Sequence, residues 1–339
     1  MDEGLHGKIL LTGGAGYIGS HTYLALVEVG FDVVILDNFS NAKEDVPARL
    51  QDISGKQVHV YQGDVLDRTL LDNVFATHKI DGVVHFAAKK AVEESVEKPL
   101  DYIHTNVGGL LNLLAAMDGA GVRRIVFSSS ATVYGDTNVQ PIPEDQPRTY
   151  TSPYAFTKIS GEQILEQLPD TWVIGILRYF NPVGAHQSAM IGEDPEAIPN
   201  NLVPYIAKVA TGELAQLGVF GNGYDTPDGT GVRDYIHVED LADGHVLSLK
   251  SLIETNQSHT VNLGTGEGSS VLDVLNAYSE ACGQKLPHQI KPCRDGDVAV
   301  LTARPEKAKA TLGFEAKRSL ADMFKSSWAW VNGQRRNSN

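Results

Sequence analysis

At 339 residues, 42% hydrophobic and 21% charged, the chain has the composition of a globular protein with room for about two domains. Its net charge of −14 argues against a general nucleic-acid or anionic-membrane binder. Cys282 and Cys293 are the only cysteines, too few for a disulfide framework or a cysteine-rich metal site, and no metal is expected.

Met1-Asp2-Glu3 opens without an apolar signal region, and no apolar run approaches a membrane span, so a cytosolic protein is expected. Lys8 to Leu11 reads as a short buried strand. Thr12-Gly13-Gly14-Ala15-Gly16-Tyr17-Ile18-Gly19 follows, and Tyr17 to Val29 carries Ile18, Leu24, Leu26 and Val27 at helical spacing. Strand, glycine-rich turn and helix make the first unit of a dinucleotide-binding fold. Gly13 suits the tight turn, Gly16 the approach of backbone amides to a pyrophosphate, and Gly19 close helix packing. The phosphates then sit at the positive end of the helix. Phe31 to Leu36 is a second strand ending at Asp37, eighteen positions after Gly19. An acid there binds the adenosine ribose hydroxyls and selects NAD over its 2′-phosphorylated form.

Asn38 to Lys56 reads as a loop with a short helix, and Val58 to Tyr61 as a strand closed by Gly63-Asp64-Val65. A helix over Asp67 to Thr77, a strand over Asp81 to Phe86, a long helix from Pro99 to Met117 and a strand over Arg123 to Ser128 follow. Pro153 opens a helix through Leu168, and Trp172 to Leu177 is a sixth strand. This alternation predicts an α/β fold with a doubly wound parallel sheet. From Asn181 the pattern changes. Pro182, Pro195, Pro199 and the run Gly221 to Gly229 mark long loops of an inserted substrate lobe through Arg233. Val238 to Leu252 (helix) and Thr260 to Leu263 (strand) rejoin the sheet. Val271–Cys282 and Ser319–Val331 add helices to the second lobe, and Gly333 to Asn339 is expected to fray. The expected division is 1–180, rejoined by about 236–263, as a Rossmann domain, with 181–235 and 264–339 as a smaller mixed α/β substrate lobe.

Tyr154 and Lys158 lie four residues apart, on one helix face. A free phenol titrates near pH 10, so phenolate near neutrality needs about 4 kcal/mol of stabilisation. An ammonium and a cationic nicotinamide ring both favour it. Tyr154 thereby becomes a candidate acid/base for alcohol–ketone interconversion. The run Ser128-Ser129-Ser130-Ala131-Thr132 falls at the C-terminal edge of the sheet, where such folds bind ligands. Ser130 and Thr132 are read as substrate contacts, while Ser128 and Ser129 fit a solvated turn equally well. His85, His186 and His237 lack metal-ligand spacing and are expected to be structural.

Thr12-Gly13, Gly16, Gly19, Ser130 and the Tyr154/Lys158 pair together resemble the extended short-chain dehydrogenase/reductase family. Further stretches are similar to the UDP-sugar epimerases within it: ILDN (35–38), SSSATVYG (128–135), SPYAFTK (152–158) and LRYFNPVGAH (177–186). EDP…IPNNL (193–202), GTGVRDYIHVEDLADGH (229–245) and VNLGTG (261–266) complete the set. The resemblance implies that Tyr17, Ile18, Asp37, Asn38, Asp64, Val65, Phe86, Ala87, Lys90 and Asn106 contact NAD. It implies that Tyr154 is the acid/base, that Lys158 holds the nicotinamide ribose, and that Ser130 contacts the sugar. Tyr179 and Asn181 would face the sugar or its diphosphate, with Asn201, Leu202 and Phe220 near the nucleotide. Arg233 and Arg294 would clamp diphosphate or ribose, Asp297 the uridine ribose, and Leu301 would stand beside the sugar C2 substituent. Taken alone, each arginine fits a structural ion pair as well as a clamp. The chain departs from the family at Lys89, an extra charge beside Lys90, and at Glu93, where the family has glycine.

The implied activity is interconversion of UDP-galactose and UDP-glucose through a transient 4-ketose, in a homodimer formed through the helices near Pro99 and Pro153. UDP-N-acetylglucosamine is expected as a slower substrate. A dehydratase or decarboxylase of the same family is the alternative, but such lyases carry an acid just after the serine or threonine of the strand-five motif. Ala131, Thr132 and Val133 offer none. A non-catalytic NAD sensor is the other alternative, and it has no need of the Tyr154/Lys158 pair.

Overall fold

The computed structural model describes residues 7–194, 201–293 and 298–337. Thirteen strands and twelve α-helices occur among them. The strands are β1 (Lys8–Thr12), β2 (Asp32–Asp37), β3 (His59–Gln62), β4 (Gly82–His85), β5 (Arg124–Ser130), β6 (Val173–Tyr179), β7 (Asn181–Val183), β8 (Leu217–Phe220), β9 (Val232–His237), β10 (His259–Leu263), β11 (Gly268–Ser270), β12 (His288–Lys291) and β13 (Val300–Leu301). The helices are α1 (Tyr17–Glu28), α2 (Val46–Ser54), α3 (Arg68–Thr77), α4 (Val92–Glu97), α5 (Pro99–Tyr102), α6 (Gly109–Gly119), α7 (Pro153–Glu166), α8 (Leu202–Ala210), α9 (Val238–Thr255), α10 (Val271–Cys282), α11 (Glu306–Leu312) and α12 (Leu320–Asn337).

Seven parallel strands form the main sheet in the order β10-β6-β5-β4-β1-β2-β3. Alternate residues of each strand enter opposite cores. Ile9, Leu11, Val33 and Ile35 pack with α1 and α9, while Leu10, Val34, Val83 and Ile125 pack with α3 and α6. The chain leaves β1 in one direction through β2 and β3, and in the other through β4, β5 and β6. The crevice beyond the ends of β1 and β4 is the topological switch point where such sheets bind ligands.

A third core, with Val203, Ile206, Val219, Tyr278 and Phe324, joins α8, α10 and α12 to β8 and β9. Strand β9 is the centre of a small mixed sheet with β7, β11 and β13, and it runs directly into α9 of the main sheet. The region 181–233 is therefore more regular than its proline- and glycine-rich sequence suggests.

Several elements differ from the sequence reading. β5 extends through Ser130 and β6 through Tyr179, because pairing continues residue by residue to Ser130↔Tyr179. Ser128 and Ser129 are buried, which removes the solvated-turn reading. The expected helix from Pro99 is an α5–α6 rod with a π-helical stretch, Ile103–Gly108, that contains Asn106. The C-terminal segment does not fray at Gly333. α12 continues to Asn337, anchored by buried Met323, Phe324 and Trp330.

Candidate active site

The glycine turn follows from steric demand. Gly13 has φ +70°, and a Cβ there would lie 2.7 Å from the Ala87 nitrogen. A Cβ on Gly19 would lie 2.4 Å from the Gly13 carbonyl oxygen, so this glycine lets the helix close on its own turn. Gly16 meets only that oxygen, at 3.3 Å, and presents its other side to open space. No side chain caps α1 and its first turn has no acid, which leaves its amides and dipole directed at the crevice. Asp37 ends β2, buried, and its carboxylate accepts from Ala15 N and Phe39 N at 2.9 Å each. Burial raises its pKa, partly offset by these amides. Asn38 donates to Asp64 Oδ2 at 2.7 Å, beside buried Val65. These two acids at the sheet edge, next to an open glycine turn, fit a dinucleotide.

Phe86 and Ala87 both donate backbone N–H groups to the Thr12 carbonyl, and the Phe86 ring packs 4.8 Å from His245. Lys90 lines the cavity at the glycine turn together with Gly16, Tyr17, Asn41, Lys43, Arg49 and Trp330. Lys89 instead points to Asp101 (3.8 Å) and the Tyr102 ring, so the lysine aligned with the cofactor is also the one beside the turn. Asn106 accepts from Lys89 N and donates to Lys89 O and Thr157 Oγ1, tying that loop to α7. Tyr17 donates to the Gly184 carbonyl at 2.7 Å. Glu193 accepts from Lys90 at 3.3 Å and Asp194 pairs with Lys43 at 2.5 Å, so the segment after β7 reaches the residues around the glycine turn. Ile18 packs at the edge of the first core.

α7 starts at Ser152, whose hydroxyl accepts from Ala155 N, with Pro153 in the first turn. That start sets Tyr154 and Lys158 against the end of β5. Lys158 Nζ donates to the Ser128 carbonyl at 2.6 Å and lies 5.8 Å from the Tyr154 ring centroid. Burial pushes the Tyr154 phenol up to about 12, with the Ser130 hydroxyl pulling the other way. Burial pushes the Lys158 ammonium down to about 8. Thr132 donates to Ser130 Oγ from both N (3.2 Å) and Oγ1 (3.0 Å), fixing that hydroxyl. Tyr179, paired with Ser130 across the strands, is buried beside His245 (3.3 Å). Asn181 follows on β7.

The remaining candidates come from residues 201–301. Leu301 on β13 pairs with Arg233 on β9, and it packs on the cluster of Ala131, Val133, Tyr134 and Phe180. That contact puts it next to the Ser130 motif. Phe220 ends β8 under Lys291, whose Nζ lies 5.5 Å from the ring centroid. Asn201 stands at the N-cap position of α8, ahead of Leu202, without a side-chain cap, and donates to Glu193 at 3.3 Å. Arg294 and Asp297 lie outside the described residues. His85 shares a 2.6 Å hydrogen bond with Thr12, His237 with Ser326 and His186 with Ser188, each a structural contact.

Two groups escaped the sequence reading. Asn41, Lys43, Arg49 and Trp330 come to the glycine turn from distant segments, and no local spacing marks them. Buried Glu162 accepts from Ser129 and from Arg178 (2.9 and 2.6 Å) directly behind the Tyr154/Lys158 pair. Its position four residues after Lys158 was a readable signal.

A seven-stranded parallel sheet, an open glycine turn and a convergent Ser/Tyr/Lys set define an extended short-chain dehydrogenase/reductase. A family model described as GDP-mannose 4,6 dehydratase matches residues 10–327. A UDP-glucose 4-epimerase of Bacillus subtilis (strain 168) is 52% identical over 332 residues, covering 96% of this chain and 98% of its own. The crystal structure of the Stenotrophomonas maltophila UDP-glucose-4-epimerase, with bound NAD and formylated UDP-arabinopyranose, superposes with a TM-score of 0.96 at 46% identity. That match covers 98% of this chain and 100% of the other. The Bifidobacterium longum UDP-glucose 4-epimerase with NAD+ and UDP gives 0.91 at 48% identity, over 98% and 99%. The chain belongs to the UDP-glucose 4-epimerase family.

Proposed function

We propose that this chain is an isomerase that interconverts UDP-galactose and UDP-glucose with NAD as its resident cofactor. The carrying observation is the convergence of Ser130, Tyr154 and Lys158 at the C-terminal edge of the sheet, beside the glycine turn. NAD supplies the hydride acceptor and donor for the sugar C4. Tyr154 takes the C4 hydroxyl proton and later returns it to the ketose oxygen. Ser130, fixed by Thr132, bonds the same oxygen, and Lys158 offsets the developing phenolate charge. Between the two proton transfers the 4-ketose turns about its diphosphate, exposing its opposite face.

Gly13, Gly16, Tyr17, Ile18, Gly19, Asp37, Asn38, Asp64, Val65, Phe86, Ala87, Lys90 and Asn106 form the NAD side in this reading, within 1–180 and its return at 236–263. Thr132, Tyr179, Asn181, Asn201, Leu202, Phe220, Arg233, Arg294, Asp297 and Leu301 form the UDP-sugar side, chiefly within 181–235 and 264–339. The chain works in the cytosol as a homodimer; Val92, Val96, Leu100 and Leu111 expose apolar surface along α4–α6. Among the described residues no helix is long and apolar enough to cross a membrane. The test is incubation with UDP-galactose. UDP-glucose is the expected product. A dehydrated sugar points to a lyase, and no conversion to a binding protein.

A further inference from the structure

Three consecutive serines of β5 meet three residues of α7 spaced one helical turn apart. The Ser130 hydroxyl stands beside the Tyr154 phenol, pulling its pKa down against burial. The Ser128 carbonyl accepts from Lys158, and the Ser129 hydroxyl donates to Glu162. The epimerase reading uses the first two contacts and leaves the third without a role. Glu162 is fully buried, a costly place for a carboxylate without compensation. Arg178 on β6 reaches both its oxygens, and Arg148 donates to one of them at 3.0 Å while also forking Glu166. Arg178 continues to the Tyr134 hydroxyl (3.0 Å) and the Glu144 carbonyl (2.9 Å).

We infer that Glu162 is a positioning residue for the Tyr154/Lys158 pair: it fixes α7 on β5 and supplies the anion that keeps the Lys158 ammonium charged. Residues four apart on a helix have neighbouring side chains. The groups facing Lys158 are Tyr154 and Glu162 from its own helix, Ser128 O and the Phe127 ring from β5, and His85 from β4. Arg178 and Arg148 stand behind Glu162. Burial lowers the Lys158 pKa and Glu162 raises it. Burial raises the Glu162 carboxyl, but Arg178, Ser129 and Arg148 together hold it below its ordinary range, so it is an anion at working pH. Neutralising it removes the anion and leaves two guanidinium charges uncompensated. Both effects make the ammonium easier to deprotonate.

The experiment is the pH dependence of kcat for UDP-galactose in the wild type, Glu162→Gln, Glu162→Asp and Arg148→Gln, with retained NAD(H) as the folding control. The inference rests on the epimerase reading, which fails separately if the wild type forms no UDP-glucose. Glu162→Gln is expected to move the alkaline limb about one unit toward acid, so that activity falls about ninefold near pH 9 but only about twofold near pH 7. Glu162→Asp keeps the charge, and its limb stays at the wild-type position even if its rate is lower. Arg148→Gln removes a cation and moves the limb the other way. An active wild type without an alkaline limb overturns the inference. So does a Glu162→Gln limb that stays in place while the rate drops equally at every pH. If Glu162→Gln does not fold, an unmoved limb in Arg148→Gln is decisive against it.

Discussion

Tyr154 enters the site in the wrong electrostatic state for chemistry, while Lys158 keeps most of its charge at neutral pH. With the phenol pushed up to about 12, bringing it to neutrality takes about five units, roughly 7 kcal/mol. The Lys158 charge and a cationic ring beside the phenol are the available sources, so deprotonation is coupled to cofactor and substrate occupancy. Tyr154→Phe preserves the ring and removes the oxygen. It should lower turnover about a thousandfold while leaving NAD(H) bound. Near-normal turnover in the purified variant is the result that would remove Tyr154 from the mechanism. Leu301 belongs to the proposed specificity side instead. It packs on Ala131, Val133, Tyr134 and Phe180, next to the Ser130 motif, and has no ring. UDP-N-acetylglucosamine should turn over about ten- to a hundredfold more slowly than UDP-glucose. Leu301→Tyr should abolish the first activity and spare the second. Specificity constants for both sugars decide the point: an unchanged ratio means Leu301 is not the gate.

Among the elements, those with short-range signals were legible from the sequence. The glycine turn, the Asp37 strand end and the Tyr154 helix depend on neighbours within about twenty positions, and each stands where the spacing puts it. Ser128 and Ser129 were not legible, because their burial depends on β6 and α7, which arrive from later in the chain. α12 shows the same thing at longer range. Its polar tail looked ready to fray, yet Trp330 packs under Arg49 (5.3 Å) and donates to the Glu193 carbonyl (3.2 Å). The π-helical stretch before α6 also has no local code. It accompanies Asn106, whose bonds to Lys89 and Thr157 recruit it inward, as such bulges do at functional sites. The same rod carries a face that its own chain leaves open. Leu100 is 77% exposed and Val96 63%, on consecutive short helices. A two-fold partner covering that face makes the proposed dimer, and Val96→Asp/Leu100→Asp should give monomers at micromolar concentration by light scattering. A wild type that is itself monomeric there would remove the dimer from the proposal.

The whole molecule carries buried neutral histidines in most of its layers, which gives it an acid limit independent of catalysis. His21 lies in α1, His85 in β4, His237 at the β9–α9 junction, His245 in α9 and His259 in β10. Burial lowers His21 and His85 to about 3, and His237, His245 and His259 to about 4. An unfolded histidine titrates near 6.5, so between that pH and the folded values the unfolded chain binds more protons. The stability these groups confer is therefore complete above about pH 6.5 and is lost as pH falls toward 4. Each contributes a slope of up to about 1.4 kcal/mol per pH unit. Asp37 and Asp234, raised by burial, act in the opposite sense, but from the carboxylate range upward, and only partly offset the loss. Urea midpoints should be nearly flat from pH 8 to 7 and fall steeply from 6.5 to 4.5. His21→Gln should reduce that steepness by about one proton, since the His21 Nε2 is buried without a partner and is excluded from protonation by its surroundings. A stability that does not change between pH 6.5 and 4.5 would mean that these rings reach water before the chain unfolds.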